Sequence, residues 1–344
     1  MTMVIEPLPT SVYNRKKQPA RSSRNTLSKA PALETEPTPE FNARCLAIIQ
    51  EWQRGDLPFA EASQRLIALG REATTSGHAV NQGRVEQLLG YMKGYRGDLN
   101  AAIHHYERAR ALYNLAGNQR RVAICDLNMG EAFRHKGDFK RAHLLFEKAY
   151  QAFKTVGDRG SEAMAIGNKG QMHLSMGQLD IARADLEESC RIARQLSDSD
   201  LDRNGQLCEV HQALALLHLK SGDTEAAWRE ARLAYQIASE TQQPLQQGFA
   251  NRAVAEVLNA AGEAPENGFS PDPDTYYQAS SEAFAEINAE GEIARTMFCQ
   301  ALSMARRGRR MTAARKLQLA MGIFTRLGMV DDAAKAAEAQ LEVL

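Results

Sequence analysis

The sequence predicts an all-α protein: a right-handed α-solenoid of about seven helix hairpins, closed by a C-terminal capping helix. Three observations predict it. From Phe41 onward only Pro58, Pro244, Pro265, Pro271 and Pro273 remain, in a stretch dominated by the strong helix formers Ala, Leu, Glu, Gln and Arg. Apolar residues recur three and four apart, as in Leu144, Leu145, Ala149 and Ala152, whereas the alternation at two that marks a half-buried strand is absent. Gly55, Gly97, Gly137, Gly177, Gly222, Gly262 and Gly308 return at intervals of 42, 40, 40, 45, 40 and 46 residues, and such a period is the signature of a stacked repeat.

The leading segment, residues 1–40, holds six of the eleven prolines and none of the 24 glycines, with too few apolar residues to bury. It is expected to be a disordered N-terminal tail. Its basic run, Arg15, Lys16, Lys17, Arg21, Arg24 and Lys29, has no acid within it and reads as a solvated face or as an electrostatic docking arm.

The solenoid is expected over residues 41–344, in units of about 41–77, 78–117, 118–157, 158–200, 201–243, 244–291 and 292–328. In each, a turn glycine, mostly followed by Asp, separates the first helix from the second. Seven residues before it stand Ile48, Gly90, Gly130, Gly170, Ala215, Ala255 and Ala301, and five after it Ala60, Ala102, Ala142, Ala182, Ala227, Asn267 and Ala313. Small residues are needed where two helices cross, because a larger side chain would push the backbones apart. Bulk fills the next layer, nine after the glycine, with Gln64, Tyr106, Phe146, Leu186, Ala231 and Leu317. A second series, Gly77, Gly117, Gly157, Gly291 and Gly328, is expected to stop the second helices.

Two units depart from the pattern. The first has Ile48 in the small column. The sixth carries an insertion, residues 262–274, after which its second helix resumes near Thr275. A final helix over 330–344 presents Ala333, Ala337, Leu341 and Leu344 as one stripe, which suits a cap or, alternatively, a homodimer seam.

Composition excludes several function classes. The chain has 42 Lys plus Arg against 42 Asp plus Glu, and a formal charge of zero argues against coating nucleic acid or an anionic membrane. Five scattered cysteines without a CxxC pair suit a reducing compartment, and no apolar run reaches the ~18 residues of a membrane span. A cytoplasmic protein is expected.

The search for chemistry returns little. No HExxH, P-loop or GxSxG motif occurs. The eight histidines do not converge, since neighbours such as His104 and His105 point about 100° apart around a helix. No metal, cofactor or catalytic residue is expected, and the cysteines read as small core residues. One basic cluster, Arg306, Arg307, Arg309, Arg310, Arg315 and Lys316, surrounds Gly308 and reads as a solvated helix terminus or as a holder of an acidic peptide or phosphate.

Leu127-Asn128-Met129-Gly130-Glu131-Ala132-Phe133, followed by Gly137-Asp138-Phe139 and Ala142, and the parallel Asn168-Lys169-Gly170 with Gly177 and Ala182, resemble the tetratricopeptide repeat. The likeness is to the 40-residue variety found in kinesin light chains, spindle-orientation adaptors and bacterial regulators, and it covers about residues 41–328. The resemblance implies a concave groove lined by first helices, with an asparagine two residues before the small position clamping a peptide backbone or carboxylate. That column reads Leu88, Asn128, Asn168, Ala213, Ala253 and Cys299, so the contact region is expected at units three and four, with Arg84, Gln87, Tyr91, Glu131, Gln171, Arg252 and Glu256 nearby. The expected function is a non-enzymatic adaptor or scaffold that binds a protein or peptide partner. The alternative is a ligand- or peptide-responsive module controlling a separate signalling enzyme or transcription factor. A third reading, dephosphorylation of a partner, would draw on Glu131 with Asn128 and Gln171.

Overall fold

The computed structural model describes residues 35–197, 203–261 and 268–344. Among them are fifteen α-helices and no strand. Seven antiparallel pairs follow one another: α1 (Pro39–Gln53) with α2 (Phe59–Thr75), α3 (Ala79–Arg96) with α4 (Leu99–Leu115), α5 (Gln119–His135) with α6 (Phe139–Val156), and α7 (Arg159–Ser175) with α8 (Leu179–Gln195). Then come α9 (Arg203–Lys220) with α10 (Thr224–Thr241), α11 (Pro244–Ala261) with α12 (Pro273–Glu286), α13 (Glu290–Arg306) with α14 (Arg310–Leu327), and the last helix, α15 (Val330–Val343).

The recurring Gly-Asp pair makes the hairpin. Gly97 and Gly137 end α3 and the turn after α5 with φ of 97° and 75°, a backbone region that costs other residues steric strain. The next residue caps the following helix: Asp98 accepts from the Ala101 N–H at 3.4 Å, Asp138 from Arg141 at 3.1 Å and Asp223 from Ala226 at 2.9 Å. Between hairpins Asn118 and Asp158 do the same for α5 and α7. Gly291 departs from its expected role as a stop. It lies in the first turn of α13, and the left-handed position falls instead on Asn288 (φ 52°), as it falls on Gln242 (φ 53°) after α10.

The small column is explained by the bulky one. A Cβ built on Gly90 would lie 2.8 Å from the Tyr106 ring, one on Gly130 2.6 Å from Phe146, and one on Gly170 2.8 Å from Leu186. Each glycine is the socket for the large side chain of its partner helix. In the first hairpin the register differs: Ala62 and Leu66 are buried where Ala60 and Gln64 were expected, because Leu57 and Pro58 lengthen the turn.

First helices lie inside and second helices outside. Every residue of α5 from Arg121 to Ala132 is buried, whereas α6 buries the single face Ala142, Phe146, Ala149 and Phe153. The array also winds back on itself. Trp52, Tyr91 and Tyr95 share one core with Phe249, Phe284, Ile287, Phe324 and Met329. A Cβ on Gly97 would lie 3.2 Å from the Gly291 Cα, and Arg96 pairs with Glu290 at 3.2 Å, so α3 meets α13. The first helices therefore surround a lumen.

Both ends of the fold differ from the sequence expectation. Residues 35–40, assigned to the tail, are part of the body. Arg121 pairs with Glu36 at 2.6 Å, Asn118 donates to the Thr35 carbonyl at 2.7 Å, Pro37 is buried, and α1 begins at Pro39. Residues 1–34, with the basic run, lie outside the described residues, as does Asn267. On α15 the buried face is Ala336, Ala339 and Val343, while Leu341 and Leu344 of the expected stripe are 78% and 75% exposed. The helix is rotated so that its alanines meet α13 and α14. No described helix is long and apolar enough to cross a membrane.

A lumen of two cavities as the candidate functional site

Two connected cavities occupy the lumen and share Leu174, Ser175, Leu216 and Lys335 in their walls. The first, of about 240 Å³, draws Arg134 and His135 from α5, Gln171 from α7, Gln212 from α9, Arg252 from α11, Glu292 and Arg295 from α13, and Asp331 and Asp332 from α15. The second, of about 540 Å³, has Leu219 and Lys220 from α9, Glu256 and Asn259 from α11, Tyr277 from α12, and Cys299, Leu302 and Arg306 from α13. Helical spacing places these residues together: 171, 174 and 175, or 252, 256 and 259, are neighbours on one face.

The first cavity rests on a network of buried charges. Arg134 holds Glu131 through both carboxylate oxygens, at 2.8 and 2.6 Å, and the His135 Nε2 lies 3.0 Å from the same carboxylate. Glu292 is gripped by Arg252 at 2.8 Å and Arg295 at 2.5 Å, and Arg295 reaches Asp332 of α15 at 2.8 Å. The Arg252 guanidinium also lies over the Phe249 and Phe284 rings, 5.3 and 5.5 Å from their centroids.

These contacts decide the charge states. Burial alone would raise the Glu131 and Glu292 carboxyls, but the adjacent arginines outweigh it and hold both well below the usual range, so both are anions. Burial, with the positive charges of Arg295 and Arg134, pushes His135 down to about 3, so it is neutral at physiological pH. Glu209, buried on α9 one turn before Gln212, is pushed up to about 7 by burial, helped by the charges of Glu131 and Glu292.

Of the residues expected from sequence, Gln171 and Arg252 line the first cavity and Glu256 lines the second. Arg84, Gln87, Asn128, Glu131, Asn168 and Tyr91 are buried, at 3% exposure or less. Arg84 donates to Asn42 at 2.7 Å and to Gln87 at 3.2 Å, which ties α3 to α1, and Tyr91 accepts from Gln53 at 2.7 Å. The grouping of Glu131 with Asn128 and Gln171 is not aimed at an exposed surface, since Glu131 is fully buried against Arg134 and His135. Among the described residues no group of His, Cys, Asp and Glu could hold a metal ion. Arg134, Gln212, Arg295, Asp332 and Lys335 were missed.

Two features read separately in the sequence meet in the structure. Arg307 pairs with Asp274 at 2.9 Å and Asp272 at 3.2 Å, and Arg309 pairs with Asp274 at 3.1 Å, so the insertion's aspartates neutralise part of the basic cluster. Phe269, stacked edge-on against Trp228 at 4.9 Å, anchors the same stretch.

The family model of the tetratricopeptide repeat matches residues 81–155 and 121–195. Residues 81–195, about a third of the chain, thus match the tetratricopeptide repeat, and the other described hairpins are antiparallel helix pairs of the same kind. It is similar to the solved structure of a Rap protein complexed with Competence and Sporulation Factor, with a TM-score of 0.60, 13% identity, and coverage of 88% of this chain and 84% of that one. The apo form of RapI gives a TM-score of 0.57 at 12% identity over 84% of this chain and 99% of that one. The apo form of the quorum sensor NprR from B. thuringiensis gives 0.51 at 11% identity over 88% and 87%. At such identities the likeness establishes the fold alone. No curated protein matches the chain.

Proposed function

We propose that this tetratricopeptide-repeat protein holds an extended peptide, or an extended segment of a partner protein, in its lumen and acts as an adaptor. One observation carries the reading: side chains of α5, α7, α9, α11, α13 and α15 converge on two connected cavities that open to solvent. Gln171 and Gln212 project amides from neighbouring helices, and an amide can both donate to and accept from a peptide backbone. Leu174 and Leu216 beside them supply apolar area for alternate side chains.

A second reading is favoured by the closure of the array. Where the second and seventh hairpins touch, a ligand that binds one spacing of the helices better than another shifts the whole ring toward it. A module that responds to its ligand and controls a separate signalling protein would work in this way. The names of the solved relatives support it, one being a quorum sensor and another captured with Competence and Sporulation Factor.

Ser175, exposed and shared by both cavities, offers the test. Ser175→Trp fills the lumen without entering the core. Partners captured from the host by wild type and by the variant are compared by quantitative mass spectrometry. Loss of the captured partners from the variant is expected. An unchanged set would place binding on the outer face and refute the lumen as the site.

A further inference from the structure

Away from the lumen, side chains of three successive helices form a row. The Cys190 Sγ of α8 lies 4.0 Å from the His211 Nε2 of α9, and the His211 Nδ1 donates to the Glu230 carboxylate of α10 at 2.6 Å. His211 stands five residues before Leu216 of the lumen wall, about 140° away around α9, so the row is on the other side of that helix from both cavities. With Nδ1 engaged by Glu230, the ring turns Nε2 toward the sulfur. Burial would lower the His211 ring, but its hydrogen bonds with Cys190 and Glu230 push it up to about 9, so it is a cation at neutral pH. A cation beside the sulfur favours the thiolate, which is the nucleophilic form of cysteine. Among the described residues only Cys190, of the five cysteines, is hydrogen-bonded to a histidine. Burial pushes the Cys45 thiol up to about 12 and raises those of Cys125, Cys208 and Cys299.

We propose that Cys190 is a peroxide-reactive thiol, with His211 as its proton donor and Glu230 holding the imidazole in place. A nucleophile, an acid–base group and an orienting carboxylate are the three parts such chemistry needs, and none of them belongs to the lumen. The Cys190 thiolate attacks the terminal oxygen of a small hydroperoxide. The S–O bond forms as the O–O bond breaks, and the departing oxygen takes the Nε2 proton of His211, whose neutral ring stays bonded to Glu230. Sulfur is oxidised to a sulfenic acid, and the peroxide is reduced to water or an alcohol. Burial selects the substrate by size. Cys190 sits in an apolar cluster with Leu186, Leu207 and Leu214, and His211 is buried beside it, whereas the Glu230 side chain is 22% exposed and marks the side of entry. Hydrogen peroxide, little larger than water, is the class of reagent that such a site admits; an acyl or peptidyl substrate is not.

In the test, the reduced full chain meets hydrogen peroxide at pH 7 for timed intervals, catalase removes the oxidant, and the chain is unfolded in urea containing dimedone, which traps sulfenic acid. Mass spectrometry then gives the oxidation rate of each cysteine. Cys190 is expected to react at least about tenfold faster than the equally buried Cys125 and Cys208, since even an ordinary thiol is only a few per cent thiolate at that pH. His211→Gln keeps a donor for Glu230 but cannot carry the charge, and it is expected to slow Cys190 about tenfold on the same ground. Glu230→Gln, at a position that reaches solvent, should slow it in the same direction while leaving the fold intact. The sign separates activation from packing: if His211 only filled space, its replacement would loosen the cluster and speed the oxidation of Cys190. Oxidation of Cys190 no faster than that of Cys125, or a rate that is unchanged or higher in either variant, overturns the proposal.

Discussion

Gly130→Ala tests the packing rule on which the lumen depends. In an exposed helix interior this change adds about 1 kcal/mol of stability, because glycine is the poorer helix former. Here the new methyl carbon would lie 2.6 Å from Phe146 Cε1 and 2.7 Å from Cδ1, and Phe146 is fully buried with no free space into which to turn. Overpacking of this kind costs about 1 to 3 kcal/mol. The expected net effect is a loss of about 1 kcal/mol. The chain itself contains the solution in its fifth hairpin, where Ala215 stands opposite Ala231. Phe146→Ala therefore supplies the control: alone it opens a cavity and costs about 3 to 5 kcal/mol, but in its background Gly130→Ala should become stabilising by about 1 kcal/mol. Urea unfolding followed by circular dichroism gives the free energies, and hydrogen exchange of α5 and α6 localises them to one hairpin of the array. Stabilisation by Gly130→Ala alone, or the same loss in both backgrounds, would refute the socket argument.

Other predictions concern charge and backbone. His135 is held at about 3 in the folded protein, below its ordinary value near 6.5, so the stability it contributes is lost as pH falls from about 6.5 toward 3, and Glu131 and Glu292 add their losses below about 4.5. His211 runs the other way: burial would lower it, but hydrogen bonds with Cys190 and Glu230 push it up to about 9, so its contribution is full below about 6.5 and lost as pH rises through 9. Thermal melts of His211→Gln should flatten the alkaline limb and leave the acid limb; a change confined to the acid limb would contradict the assignment. Gln242→Gly should add about 0.5 to 1 kcal/mol by relieving a left-handed backbone, and Asn288→Gly less, because asparagine tolerates that region better. Asp332→Asn should cost about 1 kcal/mol and speed hydrogen exchange in α15 while α1 to α8 keep their protection, since it weakens the link from α13 to the last helix.

What was legible in the sequence was whatever is enforced locally and repeated. Gly137-Asp138 writes a turn and a cap within two residues, and the spacing from Gly130 to Phe146 writes a helix crossing within one hairpin. The lumen is not local. Arg295 on α13 meets Asp332 on α15, and Arg96 meets Glu290 across most of the chain, because the array closes on itself, and no periodic pattern encodes that closure. The asparagine column fell on α5 and α7, whose cavity-lining side chains lie farther along those helices, at Arg134, Gln171 and Ser175. The error on Gly291 has the same origin. Its smallness serves contact with Gly97 in a distant hairpin and not the end of its own.

The cost of the charge network argues that the lumen wall is built for more than cohesion. Elsewhere most of the core consists of alanine, glycine and aromatic contacts, which need no compensation for lost hydration, although Arg84, Arg121 and Asp126 are also buried charged groups. Buried ion pairs such as Arg252 with Glu292 seldom add stability over well-packed apolar residues, so stability alone does not account for the network beside the first cavity. The pairs also differ in how readily they yield. Lys335 with Asp331, at the mouth, is 56% and 41% exposed, and such a pair contributes about 0 to 1 kcal/mol. Removing either partner from the buried Arg252–Glu292 pair strands a charge and costs about 3 to 5 kcal/mol. A charged ligand would therefore exchange partners first with the opening turn of α15. The residue before that helix's first turn, Met329, packs against Gly97 and Gly291 where the two ends of the array meet. In the proposed ligand-responsive module, this short helix would link occupancy of the lumen to closure of the ring.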